Sequence, residues 1–274
     1  MRLDDYATPG PFTGLTAEQT DMVRALSLGA DDLCRVAQRL LLAPGDAFGA
    51  GLNEQRMAER NTRPAAALIA RALELDAVTP WSEIRPAERR VVGSCRHFAV
   101  LATALLRAVG TPARARCGFA TYFVPPQKVD HWIVEHWSHE QARWMRTDPE
   151  YIDRPTPSPV NAADLAPGEF LTAGEAWQLV RSGAEDPMRF GVFGTENWGA
   201  GEIRGNAMRD LASLARKVEM LPWDEWGPME ASYNNATGPE FDLLIDRVAD
   251  ATATDDTDLE RVYEQLAVPL DMIC

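Results

Sequence analysis

Three residues of this chain have side chains suited to nucleophilic catalysis and lie at spacings that can bring them together: Cys95, His131 and Asp148. Cys95 opens the stretch CRHFAVLATALLRAV, in which apolar residues at 98, 99, 101, 102, 105, 106 and 109 recur at helical period. Gly93 and Ser94 precede the stretch and Gly110 follows it, so Cys95 is expected at a helix N-terminus. The positive end of the helix dipole and the unpaired N–H groups there favour a thiolate near neutral pH and can hold a developing oxyanion. His131 and Asp148 fall in two strand-like runs, HWIVEHW (131–137) and RWMRTD (143–148), joined by the five-residue loop SHEQA. A hairpin centred between 139 and 140 places His131 opposite Asp148, close enough for a carboxylate–imidazole hydrogen bond. Nucleophile, base and orienting acid then follow along the chain in the order Cys, His, Asp.

These positions demand a buried helix packed on antiparallel strands. After Pro112 the pattern changes to period two: Ala113, Ala115, Cys117, Phe119, Thr121 and Phe123 alternate with Arg114, Arg116, Gly118, Ala120 and Tyr122. That is a strand, and Pro125 with Pro126 mark the loop after it. Upstream, Thr16 and Gln19 form a capping box before a helical pattern that runs to Leu41, and Thr62 with Pro64 announce a helix over Ala65 to Leu75. Downstream of a linker with Pro155, Pro157 and Pro159, helices are predicted near 172–183, 204–220, 240–250 and 257–267, with no strand runs after 150.

The segments GSCRHFAVLATALLRAVGTPARARCGF, DHWIVEHW and RWMRTDPE together resemble the core of the transglutaminase-like superfamily. The resemblance covers 91–150 and implies an α+β, papain-like fold: the helix carrying the cysteine packs on an antiparallel sheet, with additional helices at both ends. It makes Cys95 the nucleophile, His131 the base and Asp148 the orienting acid. The implied chemistry is acyl transfer through a thioester, from an amide, ester or thioester to an amine or water. The oxyanion would rest on the Cys95 backbone N–H and a second donor, for which Trp81, Asn53, Gln55 and Asn61 are upstream candidates. The sequence has no GxxxxGK(S/T) loop and no acidic cluster of calcium-loop spacing, so neither a cofactor nor a metal is expected. The substrate it points to is an amide- or thioester-bearing small molecule or peptide, free or carrier-bound.

Trp132, next to His131, and Trp81 are candidates for the substrate cleft, with packing in the sheet an equal alternative for Trp132. His97 lies two residues past Cys95, around the helix from it, and is expected to be structural. Cys117 is expected in the core and Arg114 in an ion pair. Glu150 and Asp153 follow the Asp148–Pro149 turn and become carboxylate candidates only under a different hairpin register. His131 and His136 point to opposite strand faces, and no HExxH or CxxC spacing exists, which argues against a metal site.

The 274 residues carry a net charge of −14, which opposes binding to nucleic acid or to anionic membranes. No apolar run spans a bilayer, no secretory signal opens the chain, and four scattered cysteines do not form a disulfide framework. The expectation is a cytoplasmic protein of unspecified oligomeric state. A catalytic core with N-terminal helices is expected over 1–154, and a mostly helical region packed on it over 155–274. The competing reading, from a different functional class, is a catalytically silent transglutaminase-like binding or scaffold module.

Overall fold

A computed structural model describes residues 2–225, 227–253 and 259–266. Eleven helices are present among them: α1 Ala17–Ala25, α2 Ala30–Leu40, α3 Pro44–Gly49, α4 Glu54–Met57, α5 Ala65–Leu75, α6 Cys95–Ala108, α7 Ala173–Arg181, α8 Ala200–Leu214, α9 Met229–Tyr233, α10 Pro239–Ala253 and α11 Leu259–Gln265. The strands are β1 Leu41–Leu42, β2 Val91–Val92, β3 Ala113–Val124, β4 Gln127–Ser138, β5 Arg143–Thr147, β6 Phe170–Thr172 and β7 Phe190–Gly191.

The main sheet has the order β5-β4-β3-β6, antiparallel throughout, with β7 added parallel to β4. Its centre is the long β3–β4 hairpin, paired from Ala113↔His136 to Ala120↔Val129. The predicted α+β class holds: α6 packs against this sheet, and every residue from Arg96 to Arg107 is buried. Around α6 lies an apolar cluster that includes Leu33, Val36, Leu68, Ile69, Leu101, Leu105 and Val134. A second cluster, with Trp177, Phe190, Ile203, Leu211 and Val248, joins the C-terminal helices to Phe119 of β3.

Several boundaries differ from the sequence reading for local reasons. The first helical pattern is two helices, because Ser27 takes a left-handed φ of 52° between α1 and α2. The helix expected over 204–220 starts earlier and stops at Leu214. There Arg216 turns left-handed (φ 58°), and the Lys217 and Val218 amides fold back onto the Ala212 carbonyl. Two short strands lie beyond residue 150. β6 is three residues and β7 two, too short to leave an alternating pattern in the sequence. The helix expected over 257–267 is described only as α11, and the C-terminal Cys274 lies outside the described residues.

Candidate active site

Cys95 is the first residue of α6, with Ser94 as N-cap. His97 folds back over this start. Its Nδ1 accepts from the Ser94 amide at 3.0 Å, and its Nε2–H donates to the Thr62 carbonyl at 2.8 Å. Burial, with Arg96 beside it, pushes the His97 pKa down to about 3, so this imidazole is a neutral structural cap, as its helical position implied. A Cβ on Gly93 would lie 2.7 Å from that of His97, which is why the residue two before the cysteine must be glycine. The His97 amide bonds the Ser94 carbonyl, while the Cys95 and Arg96 amides before it have no carbonyl one turn back to bond. They stand ready for an anion at the sulfur.

His131 lies on β4, opposite Gly118 of β3. Its Nε2 is 2.9 Å from Asp148 Oδ2, with both side chains buried. The contact is the expected one, but the register that makes it is not. Val134 pairs with Thr147, and Ser138 pairs with Arg143, which shortens the loop to four residues. The hairpin is therefore displaced by two residues from the sequence estimate, and Asp148 lies just beyond β5, diagonal to His131. A two-residue displacement preserves the face on which each side chain lies, so the pair survives it. Asp148 Oδ2 also accepts from the Tyr122 hydroxyl at 2.6 Å, and Oδ1 from the Glu150 and Tyr151 amides at 3.0 and 3.2 Å. Four donors converge on one carboxylate, so its orientation toward His131 is fixed.

Cys95 Sγ, a ring nitrogen of His131 and a carboxylate oxygen of Glu150 all lie within 4.8 Å of one another. With His131 Nε2 committed to Asp148, Nδ1 is the nitrogen left for the sulfur. Burial works against charge on His131, but the Asp148 carboxylate and Cys95 outweigh it and raise the imidazole pKa well above 6.5. Burial pushes the Cys95 thiol up, reinforced by Asp130 and Glu150 and opposed by the hydrogen bond and charge of His131. The thiol is thus pulled both ways, up by burial and down by His131, with burial the larger influence. Glu150, nearly buried, has its carboxyl pushed up to about 7 by desolvation. Its side chain makes no hydrogen bond among the described residues. Sequence reasoning kept Glu150 as a carboxylate candidate only under a different hairpin register; the register is indeed displaced, Glu150 lies beside Cys95 and His131, and Asp148 still keeps the bond to His131.

The two tryptophans named as cleft candidates are core residues. Trp132 is fully buried with Ala99, Ala115 and Cys117, beside Cys95, and its Nε1–H finds no partner among the described residues. Trp81 is buried in the α6 cluster with Leu68 and Leu101. In each case the large apolar area of the indole is used in packing against helices. Of the upstream donor candidates, Asn53 caps α4 and accepts from the Arg56 amide at 3.0 Å, while Gln55 and Asn61 are exposed. Cys117 is buried as expected.

Arg114 pairs with Glu135 at 2.8 Å, as foreseen. Arg116 joins the same Glu135 and also Asp210 of α8. A polar stripe on α8 then braces the hairpin. Asn206 donates to Asp130, the residue before His131, at 2.7 Å, Asp210 accepts from the Cys117 amide at 2.9 Å, and Ser213 donates to the Ala115 carbonyl at 2.8 Å. The 206, 210, 213 spacing puts these three on one helix face, a signal present in the sequence but masked by the apolar residues around it.

Residues 65–149 match the family model of the transglutaminase-like superfamily. The matched segment runs from the start of α5 through Pro149 and contains Cys95, His131 and Asp148, while Glu150 and the bracing helix α8 lie outside it. No curated protein and no solved structure matches the chain. No helix among the described residues is long and apolar enough to cross a membrane.

Proposed function

We propose that this chain is a cysteine-dependent acyl-transfer enzyme. It would open an amide, ester or thioester through an acyl-enzyme on Cys95 and pass the acyl group to an amine or water. The single observation that carries this reading is the convergence of Cys95 at a helix start with a His131 oriented by a fully hydrogen-bonded Asp148. In the reactive form one proton has left the pair, giving a thiolate beside an imidazolium. The sulfur attacks the carbonyl carbon while the Cys95 amide holds the oxyanion. His131 gives its proton to the leaving group and then removes one from the incoming amine or water. The substrate is an amide- or thioester-bearing small molecule or peptide, and the compartment is the cytoplasm. The latter reading is supported by the free thiols of Cys34, Cys95 and Cys117. Residues 1–154 act as the catalytic part and 155–274 as its brace.

The test is brief labelling with iodoacetamide followed by peptide mapping. Cys95, half-buried, should label before Cys34 and Cys117, which are fully buried with pKa values raised by desolvation. His131→Ala should slow labelling of Cys95. Labelling of Cys95 that is indifferent to His131→Ala would favour the silent-module reading.

A further inference from the structure

Glu150 has no task in the acyl-transfer sequence, yet its carboxylate faces the reacting pair. The three donors within 4.8 Å of one another are a thiol sulfur, an imidazole nitrogen and a carboxylate oxygen. From these we infer that Cys95, His131 and Glu150 form a binding site for a zinc-class divalent cation, which shuts the enzyme off reversibly by taking its nucleophile.

The donor chemistry selects the metal. Thiolate with imidazole suits Zn²⁺ and its neighbours, whereas Mg²⁺ and Ca²⁺ want oxygen alone. Zinc bonds of about 2.0–2.3 Å place the donors of one tetrahedron roughly 3.3–3.8 Å apart. The observed span of up to 4.8 Å needs about an ångström of side-chain closure. The surrounding shell is already built. A metal-bound imidazole is held by a carboxylate on its other nitrogen, and Asp148 does this at 2.9 Å while itself fixed by Tyr122 and two amides. Glu150 is mostly buried, and its side chain makes no hydrogen bond among the described residues, so its carboxylate is free to turn to a cation. Three protein ligands leave a fourth position for water.

Binding releases protons to solvent. The Cys95 thiol loses one, His131 loses the Nδ1 proton where it is an imidazolium, and Glu150 loses one where it is protonated. Affinity therefore rises with pH. A sulfur bound to the cation cannot attack a carbonyl, so occupancy and catalysis exclude each other. Metal binding stands on geometry alone, and only the inhibitory consequence rests on the function proposed above.

The experiment uses the full chain, stripped with a chelator and titrated with Zn²⁺ by calorimetry. A parallel titration with Co²⁺ is followed by absorption. One equivalent should bind, with a thiolate-to-cobalt charge-transfer band in the near ultraviolet and intense visible bands of a tetrahedral site. Glu150→Gln should weaken binding by about 10- to 100-fold, and Glu150→Asp should recover part of the loss. Cys95→Ser should remove the charge-transfer band, and Cys274→Ser should leave it unchanged. Zn²⁺ should protect Cys95 from iodoacetamide until chelator is added. Circular dichroism of each variant separates loss of a ligand from loss of fold. No binding, or binding unaffected by Cys95→Ser and Glu150→Gln, overturns the inference. Zinc binding without acyl transfer overturns the function proposal instead and leaves the metal site standing.

Discussion

Two buried glutamates on and just after the same hairpin meet opposite environments. Glu135, on β4, is surrounded by Arg114, Arg116 and Arg146 at 2.8–3.0 Å, and their charges overcome its burial and hold its carboxyl far below the usual range. Glu150, two residues past Asp148, has Cys95 and His131 beside it but no cation bonded to its side chain, and its carboxyl rises to about 7. One cluster is saturated with partners and ties β3, β4, β5 and α8 together. The other is left short of a partner beside a nucleophile. Fully satisfied buried charge marks a brace, and unsatisfied buried charge marks a place where something binds or reacts.

The largest effect should come from breaking the reactive cluster at its anchor. Asp148→Asn leaves His131 free to turn or to adopt the wrong tautomer, and should slow acylation of Cys95 by roughly 10³–10⁴-fold, about 4–5.5 kcal/mol. A folded variant with a near-normal acylation rate would show that Asp148 belongs with the braces. Breaking the brace should act on stability instead. Glu135→Leu removes the carboxylate shared by three arginines, although Arg116 keeps Asp210 and Arg146 keeps Glu175, and should cost about 3 kcal/mol in denaturant unfolding. It should also remove an acid-sensitive component. The depressed Glu135 carboxyl contributes stability that is present above its unfolded pKa of about 4.3 and is lost as pH falls below it.

The smallest effect carries the opposite sign. A carboxyl raised to about 7 holds its proton longer in the folded state, so Glu150 takes away stability as pH climbs from about 4.3 to about 7. Glu150→Gln should flatten that slope by about 2–4 kcal/mol between pH 4 and pH 8, measured against wild type. The same variant removes a negative neighbour of Cys95 and should move the alkylation profile of that thiol to lower pH. If both profiles stay put, the contrast between the two glutamates has no energetic content.

The sequence carries the braces and the reactive pair unequally. Helix period, strand alternation and the Gly93-Ser94-Cys95 start were legible because each is a local pattern, and they placed Cys95, His131 and Asp148 where the structure has them. The hairpin register was misread by two residues, since loop length alone does not decide pairing. For Trp132 the packing alternative holds, and Trp81 also fills the core, since an aromatic looks the same in sequence whether it lines a cleft or packs inside. The α8 stripe of Asn206, Asp210 and Ser213 escaped, and Glu150 was named only as a conditional candidate, because their meaning depends on a turn and a long-range packing that no local period encodes. The burial that raises the Cys95 thiol was likewise invisible, because it comes from long-range packing around the helix start.

The central claim, that Cys95 takes the acyl group with His131 as its proton carrier, is most directly tested by trapping the acyl-enzyme. The protein is mixed with an activated donor such as p-nitrophenyl acetate, quenched in acid, and mapped by peptide mass spectrometry. A burst of nitrophenol should accompany an acetyl group on Cys95 that hydroxylamine removes. His131→Ala should abolish the burst, and Cys95→Ala should leave no hydroxylamine-labile acetyl elsewhere. An unlabelled Cys95, or equal acetylation in wild type and His131→Ala, would contradict the account.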